Sequence, residues 1–280
     1  MAQARPAPSQ PLYERRPGQA TSLVKVGDVV FGGKTVVLIG GPCAVENLDQ
    51  VLDIAGHVRR SGGAMLRGGA WKPRTSPYSF QGLGAEGLPL LAAARAATGL
   101  PVVTEVLDPR DVEQAAGAVD MLQIGSRSIQ NFPLLREAGA SGKPVLLKRG
   151  MMTTVHEWLN AAEYVLAAGC RDLVLCERGI RTFENSLRNT LDVGSVAVLK
   201  EVTHLPVIVD PSHAAGASRF VIPLARAAVA AGADGLLVEV HNHPEAALSD
   251  ADQSLTPEQF SQLAESCRAV ARAIGRDLQA

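Results

Sequence analysis

The sequence predicts an α/β chain closed into a (β/α)8 barrel, and three observations carry that expectation. Eight short apolar runs recur from Lys34 onward, longer Ala- and Leu-rich stretches of helical period separate them, and nearly every run ends in a charged or hydrogen-bonding residue. Continuous apolar runs suit parallel strands covered on both faces. A chain of 280 residues fits one such barrel with its loops. No GxGxxG fingerprint opens the first unit, which disfavours an open, doubly wound sheet.

In chain order, residues 1–20 carry Pro6, Pro8, Pro11 and Pro17 and no apolar run, so they read as a mobile arm. Neither a signal peptide nor a membrane span has that composition. Residues 21–34 read as a hairpin segment: 23–31 alternates in polarity and Gly27-Asp28 supplies the turn, placing a small plug at the barrel's bottom. The barrel itself is expected over 35–280, with strands at 36–40, 64–67, 102–105, 121–125, 145–148, 173–176, 207–210 and 235–240. Between them, helical period is clearest at 88–98, 155–168, 187–201 and 220–231, and Gly99, Gly169 and Gly232 follow three of these where a left-handed residue ends a helix. Thr256, Pro257 and Gln259 spell the start of the last helix as cap, first helical position and capping-box partner.

Bulk charge points to local rather than global recognition. With 27 basic and 28 acidic side chains the formal net charge is −1, so no overall field recruits nucleic acid or an anionic membrane. Cys43, Cys170, Cys176 and Cys267 form no CxxC pair, which argues against a disulfide framework and favours a reducing cytoplasm.

A barrel gathers its chemistry at the carboxyl ends of its strands. Closure makes strand one a neighbour of strand eight, so Cys43, His213 and Glu239 come together, with Asp250 reaching them from the loop after strand eight. A thiolate, an imidazole and two carboxylates suit Mn, Fe, Co or Zn better than Mg or Ca. A lone cysteine is usually a small core hydrophobe, and Cys170, Cys176 and Cys267 are read so. Cys43 differs in following Gly-Pro at the expected rim beside compatible partners; His241 and His243 remain rivals to His213.

Arg127, Lys148 and Arg178 end strands four, five and six, with Arg149 nearby and Lys72 and Arg74 in the loop after strand two. Guanidinium forks and a lysine ammonium together suit phosphate and carboxylate oxygens. The competing explanation is a structural salt-bridge network with Glu105, Glu177 and Glu239.

Four ordered motifs, Gly-Pro-Cys-Ala-Val-Glu at 41–46, Arg-Gly-Gly-Ala-Trp-Lys-Pro-Arg-Thr-Ser-Pro-Tyr-Ser-Phe-Gln-Gly at 67–82, Asp-Pro-Ser-His at 210–213 and Ala-Leu-Ser-Asp at 247–250, are joined by Ile-Gly-Ser-Arg at 124–127 and Leu-Lys-Arg-Gly at 147–150. Together they resemble the type I β group of 3-deoxy-D-arabino-heptulosonate-7-phosphate (DAHP) synthases. The resemblance implies metal ligation by Cys43, His213, Glu239 and Asp250, and phosphoenolpyruvate held by Arg127, Lys148 and Arg178, with Ser126 among the substrate-binding residues. Erythrose 4-phosphate would lie on Lys72, Pro73, Arg74 and Thr75, with Arg74 between the substrates. For the chemistry so implied, Lys148 is the candidate proton donor to the aldehyde oxygen and Glu105 the candidate partner of the attacking water.

Many relatives carry an N-terminal regulatory domain, and none is expected in the residues before the barrel; feedback control would then need a partner protein or an interface. A homodimer or homotetramer is expected by analogy. Two alternatives compete: a 3-deoxy-D-manno-octulosonate-8-phosphate synthase using arabinose 5-phosphate, against which Lys-Pro-Arg-Thr at 72–75 argues, and a catalytically silent phosphometabolite-binding barrel.

Overall fold

A computed structural model describes residues 10–279. Its strands are β1 (Val24–Val26), β2 (Val29–Phe31), β3 (Thr35–Gly41), β4 (Met65–Arg67), β5 (Val102–Val106), β6 (Met121–Ile124), β7 (Val145–Lys148), β8 (Leu173–Glu177), β9 (Val207–Val209), β10 (Gly235–Glu239) and β11 (Asp277–Leu278). The helices are α1 (Leu48–Arg60), α2 (Gly87–Thr98), α3 (Val112–Ala118), α4 (Phe132–Ala140), α5 (Val155–Ala167), α6 (Val193–Val202), α7 (Pro211–Ala215), α8 (Ser218–Ala230) and α9 (Pro257–Ala273).

Strands β3 to β10 pair in parallel in chain order, and β10 pairs back onto β3 with Gly235 opposite Val37 and Glu239 opposite Gly41. The sheet is therefore a closed eight-stranded barrel with helices between strands, and β11 lies outside it along β3. Closure removes the exposed edges that an open sheet would have to protect.

Two apolar layers hold it. The outer one packs strand residues such as Leu38, Leu66, Leu122 and Leu147 against helix residues such as Ile54, Leu91, Leu135 and Trp158. The inner one fills the lower barrel with Val37, Ile39, Met65, Val103, Met121, Leu146, Val174, Ile208 and Leu237, closed by Val24, Val26, Val29 and Phe31 of the hairpin. The hairpin sits at the end where strands begin: a side chain at Gly27 would meet Pro101, just before β5, at 3.2 Å. The turn needs Gly27 itself, whose φ is 59°.

Local signals decide the helix ends. Gly99 is the left-handed cap of α2, and Thr256, Pro257 and Gln259 form the expected start of α9 with both capping-box bonds. The helix expected over 187–201 begins later, at Val193, because residues 180–190 form a loop closed by the Ile180–Thr190 bridge and Asp192 provides the cap.

The arm expected over 1–20 lies outside the described residues up to 9. From Leu12 onward it is attached: the backbone N–H groups of Leu12 and Tyr13 donate to the Glu163 carboxylate at 2.9 and 3.2 Å, and the Thr203 hydroxyl donates to the Tyr13 carbonyl at 2.6 Å. Among the described residues no helix is long and apolar enough to cross a membrane.

Candidate active site

Above the apolar inner layer the strand ends turn polar, and their side chains are buried all the same. Arg67, Glu105, Gln123, Lys148, Glu177, Arg178, Asp210 and Glu239 come from seven different strands or the residues just after them. Burying so many ionic groups is costly unless each has a partner or a ligand.

The chain after β3 brings Cys43 to this level. Gly41 makes that path possible: a side chain there would stand 2.0 Å from the Arg67 carbonyl. Cys43 Sγ lies 3.1 Å from Asp250 Oδ2 and 3.0 Å from Ser249 Oγ. Cys43, Glu239 and Asp250 each present a donor atom within 4.8 Å of one another, a group able to hold a metal ion.

His213 stands beside them on α7. Its Nε2 is 3.5 Å from Glu239 Oε1 and 3.9 Å from Asp250 Oδ2, while its Nδ1 lies 2.6 Å from Asp210 Oδ2. Asp210 caps α7 through the His213 backbone N–H at 3.0 Å, so one carboxylate fixes both the backbone and the ring. That bond leaves Nε2 for the cluster, the arrangement that metal-binding imidazoles generally have. His241 and His243 are elsewhere: His241 Nε2 contacts Gln50 at 3.0 Å and Glu46 at 3.4 Å, and His243 is exposed beside Glu245.

The electrostatics suit a cation. Burial pushes the Cys43 thiol up to about 12, with Glu239 adding to the effect. Burial opposes ionisation of Glu239 and Asp250 too, yet His213 and the neighbouring guanidinium groups hold both carboxyls below their usual range. Burial also lowers the His213 imidazole pKa against the pull of Asp210 and Glu239, which eases replacement of its proton by a metal ion. A divalent ion here would supply the charge that a thiolate needs.

Around the cluster lies the cationic set. Lys148 Nζ donates to Asp210 Oδ2 at 2.5 Å, the same oxygen that faces His213. Arg178 is buried and, among the described residues, its one hydrogen bond is a 3.4 Å contact to the Gly179 carbonyl; that burial lowers its pKa. Lys72 Nζ donates to the Cys43 carbonyl at 3.1 Å, and Arg74 to Ser249 Oγ at 2.8 Å. A cavity of about 240 Å³ opens beside them, lined by Lys72, Pro73, Arg74, Thr75, Ser76 and Ser79 together with Arg127, Arg188, His213 and Asp250. Ser126 opens the short 3-10 turn that carries Arg127.

The salt-bridge alternative claims part of this set. Arg149 donates to Glu177 at 2.9 Å, to Asp192 at 2.8 Å and to the Thr153 carbonyl at 3.0 Å, so it ties loops together and leaves the basin. Glu105 contacts Gln123 at 3.3 Å, and a side chain at Gly125 would fall 1.8 Å from its carboxylate, so only glycine leaves that group room.

Three contributors were not singled out from sequence. Arg67 donates to Glu239 Oε1 at 2.9 Å and to the Cys43 carbonyl at 3.3 Å, and its Nε is buried without a partner among the described residues. Its place at the end of β4 was the available signal. Gln253 donates to Glu239 Oε2 at 2.5 Å, and Arg188 reaches Asp250 and Gln253 from the 180–190 loop. Neither occupies a strand end, so the barrel rule does not point to them.

A family profile described as the DAHP synthetase I family matches residues 16–275. A phospho-2-dehydro-3-deoxyheptonate aldolase of Thermotoga maritima is 49% identical over 254 residues, covering 91% of this chain and 75% of that protein. More distant is a 2-dehydro-3-deoxyphosphooctonate aldolase of Syntrophotalea carbinolica, 38% identical over 84% of this chain and 91% of its own length. Among solved structures, a DAHP synthase of Thermotoga maritima superposes with a TM-score of 0.93 at 46% identity over 98% of this chain and 80% of that one. A truncated form of the Thermotoga maritima 3-deoxy-D-arabino-heptulosonate 7-phosphate synthase gives 0.89 at 43% identity, over 95% of this chain and 98% of its own.

Proposed function

This chain belongs to the DAHP synthetase I family, and from that premise we propose how it works as a 3-deoxy-7-phosphoheptulonate synthase. It is a carbon–carbon bond-forming transferase that joins phosphoenolpyruvate to erythrose 4-phosphate and releases phosphate, the entry step of the shikimate route to chorismate and the aromatic amino acids. One observation carries the mechanistic reading: a thiol, imidazole and carboxylate cluster stands next to buried Arg67 and Arg178, of which Arg67 keeps an Nε without a partner and Arg178 makes a 3.4 Å contact to a carbonyl among the described residues.

Phosphoenolpyruvate carries a carboxylate and a phosphate. Arg178, Arg127 and Lys148 are our candidates to supply charge for both, and Arg67 Nε, without a partner among the described residues, is a further available donor. Lys72, Pro73, Arg74 and Thr75, which line the cavity, are our candidates for holding the aldose phosphate, with Arg74 between the two substrates. Cys43, His213, Glu239 and Asp250 would hold the divalent ion. When bound, such an ion polarises the aldehyde oxygen; the donor set suits Mn, Fe, Co or Zn.

Carbon 3 of phosphoenolpyruvate attacks the aldehyde carbon, and the aldehyde oxygen takes a proton, for which Lys148, held by its bond to Asp210, is our candidate donor. Carbon 2 is left electron-poor and water adds to it, and buried Glu105 is our candidate acceptor of the water's proton. In the resulting hemiketal phosphate the bond from carbon 2 to the phosphate ester oxygen breaks, the carbon 2 hydroxyl passes its proton to the departing phosphate, and the keto acid remains. Holding two anions and an ion in fixed register removes the entropy cost of assembling them in water.

Unpaired thiols at all four cysteines fit the reducing cytoplasm expected from sequence. A homodimer or homotetramer remains our expectation for solution, to be read by light scattering. Substrate choice tests the function directly: metal-replete protein should consume phosphoenolpyruvate with erythrose 4-phosphate far faster than with arabinose 5-phosphate. A preference for the five-carbon sugar would transfer the chain to the octulosonate reaction, and no turnover with either would leave a silent binding barrel.

A further inference from the structure

Arg188 lies outside the strand-end cations, yet it touches both halves of the site. Its NH1 donates to Asp250 Oδ1 at 3.1 Å and to Gln253 Oε1 at 2.7 Å. Asp250 turns its other oxygen, Oδ2, toward Cys43 and His213, and Gln253 holds Glu239 Oε2 through its amide nitrogen. One guanidinium therefore steadies two carboxylates of the candidate metal cluster from behind.

Its remaining nitrogens, Nε and NH2, donate to nothing among the described residues. The side chain is 36% exposed and lines the same cavity as Lys72, Arg74 and Thr75. Its backbone, by contrast, is pinned. Arg188 N donates to the Ala215 carbonyl at 3.3 Å, Asn189 Nδ2 donates to the His213 carbonyl at 3.1 Å, and a side chain at Gly216 would stand 2.4 Å from Arg188 Cβ. Asp250 adopts φ 52°, the one left-handed non-glycine residue among those described, and the Arg188 contact helps hold it there.

We propose that Arg188 is a specificity-determining residue that binds the phosphate group of the aldose phosphate through Nε and NH2 while its NH1 positions the metal-cluster carboxylate of Asp250. A guanidinium presents donors along two edges, so one edge can serve the protein and the other an incoming phosphate. Binding of the sugar phosphate and the geometry of the cluster are thereby coupled. This rests on the DAHP synthase reading above and adds to it a residue for the second substrate.

The test compares wild type with Arg188→Ala and Arg188→Lys in metal-saturated enzyme, measuring KM for each substrate and kcat/KM for erythrose 4-phosphate against unphosphorylated erythrose. Loss of charge-assisted bonds to phosphate should raise KM for erythrose 4-phosphate about 10- to 100-fold in the alanine variant. KM for phosphoenolpyruvate should stay within about twofold, the phosphate preference should fall by the same factor as the KM change, and lysine should restore part of it. Chelator competition should show weaker metal retention in the alanine variant, and Phe183→Ala on the same exposed loop should change none of these. An unchanged phosphate preference, or equal losses toward both aldoses, would reduce Arg188 to a structural tie and overturn the proposal while leaving the function intact. Wild-type enzyme that ignores erythrose 4-phosphate would defeat the underlying reading instead.

Discussion

The lower and upper halves of the barrel interior obey opposite rules. Below, Val24, Val26, Val29 and Phe31 of the hairpin meet Val37, Met65, Leu146 and Leu237 in a dry apolar plug. Above, at the same degree of burial, lie Arg67, Lys148, Glu177, Arg178, Asp210 and Glu239. Apolar burial stabilises by removing area from water, whereas buried charge is held at a cost that pairing only partly offsets. The floor is built for stability, and the mouth is built for ligands whose charges complete it.

That contrast can be broken most forcefully at Cys43. Cys43→Ala should leave the fold intact yet lower kcat/KM by roughly 10⁴-fold, since Lewis-acid stabilisation amounts to several kcal/mol; a steady-state assay with added divalent ion checks it, and full activity would contradict it. Phe31→Ala should do the reverse. Emptying its fully buried site in the plug should cost about 3–5 kcal/mol in denaturant unfolding, while the folded fraction keeps its kcat.

Smaller effects sharpen the boundary between the halves. Gln253→Ala removes the bond to Glu239 Oε2 and should weaken metal affinity about 10- to 100-fold, as read by chelator competition, with little change in unfolding midpoint for the metal-free protein. Cys267 lies in the outer core, where burial pushes its thiol from 9.0 up to about 12. A raised thiol pKa favours the folded state fully below the unfolded value and progressively less as pH climbs toward the folded one. Stability should therefore fall by about 1.4 kcal/mol per pH unit from this group between those limits. Cys267→Ala should narrow its stability gap to wild type over that range; a constant gap in urea unfolding from pH 8 to 10.5 would refute this.

The plug was legible because alternation in 23–31 and the Gly27-Asp28 turn are local signals, and the barrel because continuous apolar runs have one common use in a long α/β chain. Strand ends then placed Cys43, His213, Glu239, Lys148 and Arg178 at one mouth. What escaped depends on partners distant in sequence. Arg149 resembles its neighbour Lys148 by position, but Glu177 and Asp192 capture it. The proline-rich arm has no apolar pattern of its own, yet Glu163 and Thr203 receive and anchor its backbone. Arg188 and Gln253 sit in loops whose courses are set by tertiary contacts, so their approach to Asp250 and Glu239 could be read only from the folded chain.

Cobalt(II) titration of the metal-free protein, followed by absorption spectroscopy, tests the central claim most directly, because a sulfur ligand gives a charge-transfer band that oxygen and nitrogen ligands lack. We expect saturation at a single ion per chain with that band present in wild type and in Cys176→Ala, and absent in Cys43→Ala. A band that survives the loss of Cys43, or wild-type protein that binds cobalt with no such band, would contradict the thiolate-centred site.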